Sequence, residues 1–263
     1  MRTFIEYAIR SHFHLAFFCF VYVYGLYQSN AYSWAYALMF SLGIMGIYNF
    51  HRLWKYQTKD LPDYIFYWVS KNKSSLLFIA ITASFVTLFL YLKYFGYLNN
   101  IHLPTCVAVI LSVLYVYRLR SYNLREVPYL KIFLVFVIWF FLLHYLPYLI
   151  FDTFINPIEG ALFLFAILIP SDMKDVTYDP KDMRTIPQLI GIKRSLTLIQ
   201  IVVISGLLYS LIVPSMNTYM WLSGFSYLFI LSLFYKKFNP QYFFTWIDLG
   251  FFIVGLSLLW HSF

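Results

Sequence analysis

Charge is what this chain has least of. Charged residues make up 11% of the 263, against 62% hydrophobic. Soluble domains carry about 25% charged residues. A soluble fold cannot hide so much apolar surface, because roughly half of any folded surface still faces water. A soluble enzyme and a disordered chain are therefore excluded. Cysteine is almost missing. Cys19 and Cys106 both lie in apolar stretches and read as small buried hydrophobes. No disulfide framework or metal-binding Cys spacing exists, which excludes a stapled secreted domain. There is no Gly- or Ser-rich linker, no internal repeat and no low-complexity tract, so residues 1–263 read as one domain. A cleavable signal is not expected either, since the apolar run after Arg10 is followed at once by another.

What is present is apolar runs. Hydropathy and punctuation predict nine spans, at about 12–29, 31–50, 74–96, 101–117, 129–150, 157–170, 195–213, 216–235 and 242–261. The runs do not alternate, so they predict helices and not a barrel. The expected fold class is an all-α polytopic membrane protein. The sixth span is short and bracketed by Pro157 and Pro170. It crosses only if the bundle thins locally or if its polar end continues the helix.

The scarce charges then orient the chain. On this parse the N-terminus and four loops hold eighteen of the 19 basic residues, and only Lys93 falls near the other side. The positive-inside rule puts the N-terminus in the cytoplasm, and nine spans put the C-terminus outside. The net charge of +8 is thus topology, and no nucleic-acid partner is expected. The Phe/Tyr/Ile/Lys bias points to a bacterium with an AT-rich genome, hence to the bacterial cytoplasmic membrane.

Four of the eleven acids fall within residues 172–182, at the mouth of the sixth span. On a helix Asp172, Asp175 and Asp179 share one face. Three carboxylates so placed repel unless a cation sits among them. Magnesium suits them, since it takes hard oxygen ligands and is commonly held by carboxylates plus substrate phosphates. The bland reading is a solvated acidic loop paired with Lys174 and Lys181. Lys131, one turn into the fifth span, and Asp248, two turns into the ninth, are costly unless partnered. His144 and Asp152 read as outer-end polar residues, and His12, His14 and His102 need no special role.

The string Asp172-x-x-Asp175-x-x-x-Asp179, followed by 184–191 (Arg-Thr-Ile-Pro-Gln-Leu-Ile-Gly), resembles the second aspartate-rich motif of the UbiA prenyltransferase superfamily. The stretch with Leu114, Tyr115, Arg120 and 124–131 (Leu-Arg-Glu-Val-Pro-Tyr-Leu-Lys), then Trp139, resembles the family's tyrosine, basic and proline–lysine stretch. Asn49 sits where its first motif begins, and Asp248 has a counterpart in many members. The resemblance implies a nine-helix UbiA-like bundle with a central cavity. It also implies an isoprenyl diphosphate at the cytoplasmic end and magnesium on the acidic motifs. The expected activity is transfer of the isoprenyl group to an acceptor that the sequence does not identify. On that reading Asp172, Asp175 and Asp179 hold Mg2+. Asp172, Asp175 and Lys131 serve catalysis, with Lys131 steadying the leaving diphosphate. Asn49, Arg52, Lys55, Arg120 and Arg184 bind substrate.

One departure stands out. The family's first motif reads Asn-Asp-x-x-Asp-x-x-x-Asp, but Phe50, Leu53 and Gln57 occupy the three acid positions here. Neither Phe nor Leu ligates a metal. His51, Arg52 and Lys55 on the same turn offer direct phosphate contact instead, or simply anchor the helix to anionic headgroups. The alternative expectation is a catalytically inactive UbiA-fold protein that binds an isoprenoid or other anionic lipid, or serves as a membrane-complex subunit. A purely structural or transport role has least support, since it gives no reason for four clustered acids.

Overall fold

The computed structural model describes residues 2–117, 127–153, 155–176, 179, 183–215, 217–235 and 240–261. These are helical, with no strand among them. A short α1 (Arg2–Arg10) precedes α2 (Phe13–Tyr27), α3 (Ser33–Gln57), α4 (Asp63–Tyr94) and α5 (Asn99–Leu114). Next come α6 (Leu130–Phe140), a π-helical turn (Phe141–Tyr145) and α7 (Leu146–Phe151). Then follow α8 (Pro157–Asp175), α9 (Ile186–Ile212), α10 (Thr218–Leu233) and α11 (Pro240–His261). Asp63–Tyr94, Leu130–Phe151 and Ile186–Ile212 are long and apolar enough to cross a membrane, which marks an integral membrane protein.

Each predicted span falls on a helix, and the differences lie at the ends. The helix of the third span begins at Asp63, so Lys71 and Lys73 ride on α4 and not in a loop. The helix of the sixth continues through Pro170 to Asp175, carrying Asp172 and Asp175 with it. The helix of the seventh starts at Ile186 and bends at Gly191, whose φ of 79° only glycine adopts easily. Cys106 is exposed on α5, contrary to its buried reading, while Cys19 is buried.

Packing follows from helix order. α3 lies against α4 and α2; α2 against α11; α11 against α10; α10 against α9; α9 against α8; and α8 against α6. Rings fill the middle. Tyr22, Phe163 and Phe251 are fully buried and mutually packed, with centroids 5.2–6.0 Å apart, and Trp139 stacks on Phe251 at 5.5 Å. Outward faces carry apolar side chains such as Phe78, Phe85 and Leu103, which suits contact with lipid.

His144 is corrected by the structure. It lies inside the π turn and is buried, with Gly160 opposite it leaving room for the ring. A π turn takes carbonyls out of the regular ladder. The Tyr27 hydroxyl donates to the Leu143 carbonyl at 2.9 Å and the Tyr36 hydroxyl to the Leu142 carbonyl at 2.5 Å. In hydrocarbon such groups must be satisfied internally.

α2 and α11 touch through glycines. A side chain at Gly25 would place its first carbon 2.6 Å from the Gly255 carbonyl oxygen. Small residues allow this backbone approach. Gly25→Val should lower stability by about 2 kcal/mol, as overpacking does. Gly43→Ala, whose nearest neighbour would be Thr87 at 3.6 Å, should be near neutral. Unfolding in detergent micelles measures both, and equal effects would contradict the close packing.

Candidate functional site at the basic end of the bundle

Contacts place the N-terminal segment, the end of α3, the start of α4, the start of α6, the end of α8 and the start of α11 at one end. Arg10 lies over the rings of Tyr64 and Trp68 at 5.8 and 5.6 Å. The Asn49 amide donates to the Ser11 carbonyl at 2.8 Å. His14 Nε2 meets Asp248 Oδ2 at 3.2 Å, joining α2 to α11. His51 Nε2 meets the Ser112 carbonyl at 2.7 Å, joining α3 to α5. The opposite end holds a different polar set, with Glu159 accepting from Ser210 Oγ at 2.6 Å and Thr153 donating to Asn30.

At the basic end the acid cluster forms around a lysine. Lys131 Nζ lies 2.9 Å from Asp172 Oδ1, 3.3 Å from Asp175 Oδ2 and 2.5 Å from Asp179 Oδ2. Lys131, Asp172 and Asp179 are buried, and Asp175 is half-buried. Local hydrogen bonds hold the pieces in place. The Asp179 N–H donates to the Asp175 carbonyl at 2.7 Å, tying Asp179 to the end of α8. Gln188 caps the start of α9 by accepting from the Thr185 N–H, and its side-chain amide donates to the Asp179 carbonyl at 3.2 Å. The Tyr129 N–H donates to the Met183 carbonyl at 3.1 Å. Tyr129 and Arg184 both adopt positive φ and meet each other, with Arg184 Nη1 donating to the Tyr129 hydroxyl at 3.2 Å. Beside the cluster is a shallow pocket lined by Tyr129, Lys131, Ile132, Met183, Arg184 and Leu189.

A second group is basic. His12 sits in the α1–α2 junction at φ 59°. Burial, then the nearby charges of Arg52, His14, Lys174 and His51, hold its imidazole well below the ordinary histidine range, so it is neutral at pH 7. Residues from the junction, α2, α3 and α8 thus come together. Arg52, two residues beyond the predicted second span, is brought down to about 10 by burial and the like charge of Arg10, and stays charged. Its Nη1 is closed from solvent and has no hydrogen-bond partner among the described residues.

The predicted site residues therefore divide. Asp172, Asp175, Asp179 and Lys131 meet at one point. Arg52 joins the basic group, and Arg184 lies exposed at the pocket lip. Asn49 is fully buried, and its amide also donates to the Met45 carbonyl at 2.8 Å, so it ties α3 to the junction. Lys55 is half-buried near the end of α3. Arg118, Arg120, Arg125, Lys181, Asp182, Lys236 and Lys237 lie outside the described residues. His12 and His14 were missed by sequence reading, because no spacing links the α1–α2 junction to α3, α8 or α11.

Magnesium does not fit the acid cluster as it stands. The ammonium occupies the point between the carboxylates that a metal would need. Among the described residues no group of three or more His, Cys, Asp or Glu is arranged to hold a metal ion. Compared with protein-family models, curated proteins and solved structures, the chain matches none.

Breaking a buried ion cluster by removing one partner leaves uncompensated charge and costs about 3 kcal/mol or more. Lys131→Met should therefore cost about 3 kcal/mol in micelle unfolding measured without divalent ions, and Lys131→Arg should cost far less. Equal losses would show that shape and not charge sets the role of Lys131.

Proposed function

We propose that the protein is a UbiA-like integral membrane protein that binds the head group of an isoprenyl diphosphate, or a kindred lipid phosphate, at its basic end. The nine helices of that reading all cross, with the N-terminus in the cytoplasm of a bacterium and the C-terminus outside. The observation that carries it is Arg52. A charged guanidinium with a buried, unpartnered N–H is unfavourable. A phosphate oxygen supplies the missing acceptor, and arginine suits that geometry. Lys174, whose charge acts on the same His12 ring as that of Arg52, adds positive charge nearby.

Binding fits these residues better than prenyl transfer. The resemblance implies that transfer needs cations held by two acidic motifs against the departing diphosphate. Here Phe50, Leu53 and Gln57 replace one set of acids, and Lys131 neutralises the other. The packed rings at the bundle centre also favour a head group held at the end over a reacting chain held in the middle.

Radiolabelled geranylgeranyl diphosphate, titrated onto the protein in lipid nanodiscs with EDTA present, tests this. Wild type should bind it and release no pyrophosphate. Arg52→Gln should bind about tenfold more weakly, the loss of one charge-assisted hydrogen bond. Lys193→Gln should match wild type. An unchanged affinity in Arg52→Gln removes Arg52 from the site, and pyrophosphate release would reinstate prenyl transfer.

A further inference from the structure

We infer that Lys131 is the built-in cation of the Asp172–Asp175–Asp179 cluster, excluding divalent ions from it, and that removing its ammonium turns the cluster into a divalent-cation site. The inference rests on the cluster alone and is independent of which lipid the basic group takes.

Stoichiometry supports it first. An ammonium has three N–H donors and no acceptor. Three carboxylates approach it, at 2.9, 3.3 and 2.5 Å. A divalent ion would demand the same three side chains but at about 2.0–2.6 Å. It cannot enter while Nζ stands between them.

The second support is an unused oxygen. Asp172 is buried, and its Oδ2 has no hydrogen-bond partner among the described residues. Its Oδ1 already accepts from Lys131. A three-donor ammonium that meets one oxygen of each carboxylate leaves the second oxygen of Asp172 idle. An oxygen-seeking ion of higher coordination number would use it.

Position supplies the third. Lys131 comes from the first turn of α6, whereas two of the acids come from the end of α8 and Asp179 is bonded to that end. Losing the lysine therefore leaves the acids' own scaffold in place. The Asp179 N–H still bonds the Asp175 carbonyl, and Gln188 still holds the Asp179 backbone. The carboxylates then need to close by only about 1 Å to reach metal–oxygen distances.

Manganese tests this without any lipid ligand. Electron paramagnetic resonance of free Mn2+, titrated onto purified protein in detergent, reads the bound fraction. Wild type and Lys131→Arg should show no stoichiometric ion. Lys131→Met should bind one ion per chain, roughly 100-fold more tightly than wild type, as expected for two cations competing for one place. Added Mn2+ or Mg2+ should raise the melting temperature of Lys131→Met and leave that of wild type unchanged. Asp175→Asn on top of Lys131→Met should abolish the gained site. If Lys131→Met does not fold, Lys131→Gln takes its place. One tight ion per wild-type chain overturns the proposal, whatever the variants do. So does a folded Lys131→Met or Lys131→Gln protein that binds no better than wild type.

Discussion

A lysine ammonium placed among three carboxylates organises this protein's basic end. Three like charges gathered at the mouth of a membrane helix repel one another, and in a partly dehydrated place that repulsion is large. Lys131 removes it with three short contacts. The contact also fixes geometry. It ties the first turn of α6 to the last turn of α8, and through the Asp179 backbone to the start of α9. The junctions that follow, including the paired positive-φ residues Tyr129 and Arg184, depend on that closure.

The rest of the molecule divides its labour by depth. Rings and close-packed glycines fill the middle, where no polar group can go unpaired cheaply. At the π turn the tyrosine hydroxyls of α2 and α3 take up the Leu142 and Leu143 carbonyls, while both ring nitrogens of His144 are buried with no hydrogen-bond partner among the described residues. Charge gathers at the basic end, where it can be both exposed and directed. The carboxylates are neutralised internally by Lys131, while Arg52 retains an unused donor. In the proposed reading, it is this buried Arg52 donor that a lipid phosphate takes up.

Much of the fold was legible because apolar runs and punctuation are strong signals. The start of α4 at Asp63 was not, because the apolar run that marks the third span begins only near residue 74. The continuation of α8 through Pro170 was one of two readings left open by the short sixth span. The site was legible in part. The spacing of Asp172, Asp175 and Asp179 left open a cation among the acids or a solvated acidic loop, and a cation sits there. Sequence pointed to magnesium because it shows no distance between residues 131 and 172. Lys131 looked like a separate costly charge, and the acids like an unfilled site. Each was the other's partner. Asp248 was equally incomplete until His14 met it across α2 and α11. His144 was misread because a π turn has no periodicity signature, and Cys106 because an apolar stretch does not say which face meets lipid.

Native mass spectrometry of the protein released from membranes, with and without EDTA, tests the central claim most directly. The account predicts a lipid-phosphate adduct of isoprenoid mass that survives EDTA, with no divalent ion in the mass balance. An adduct that carries a metal and disappears on chelation would contradict it, as would a chain that emerges with no lipid phosphate at all.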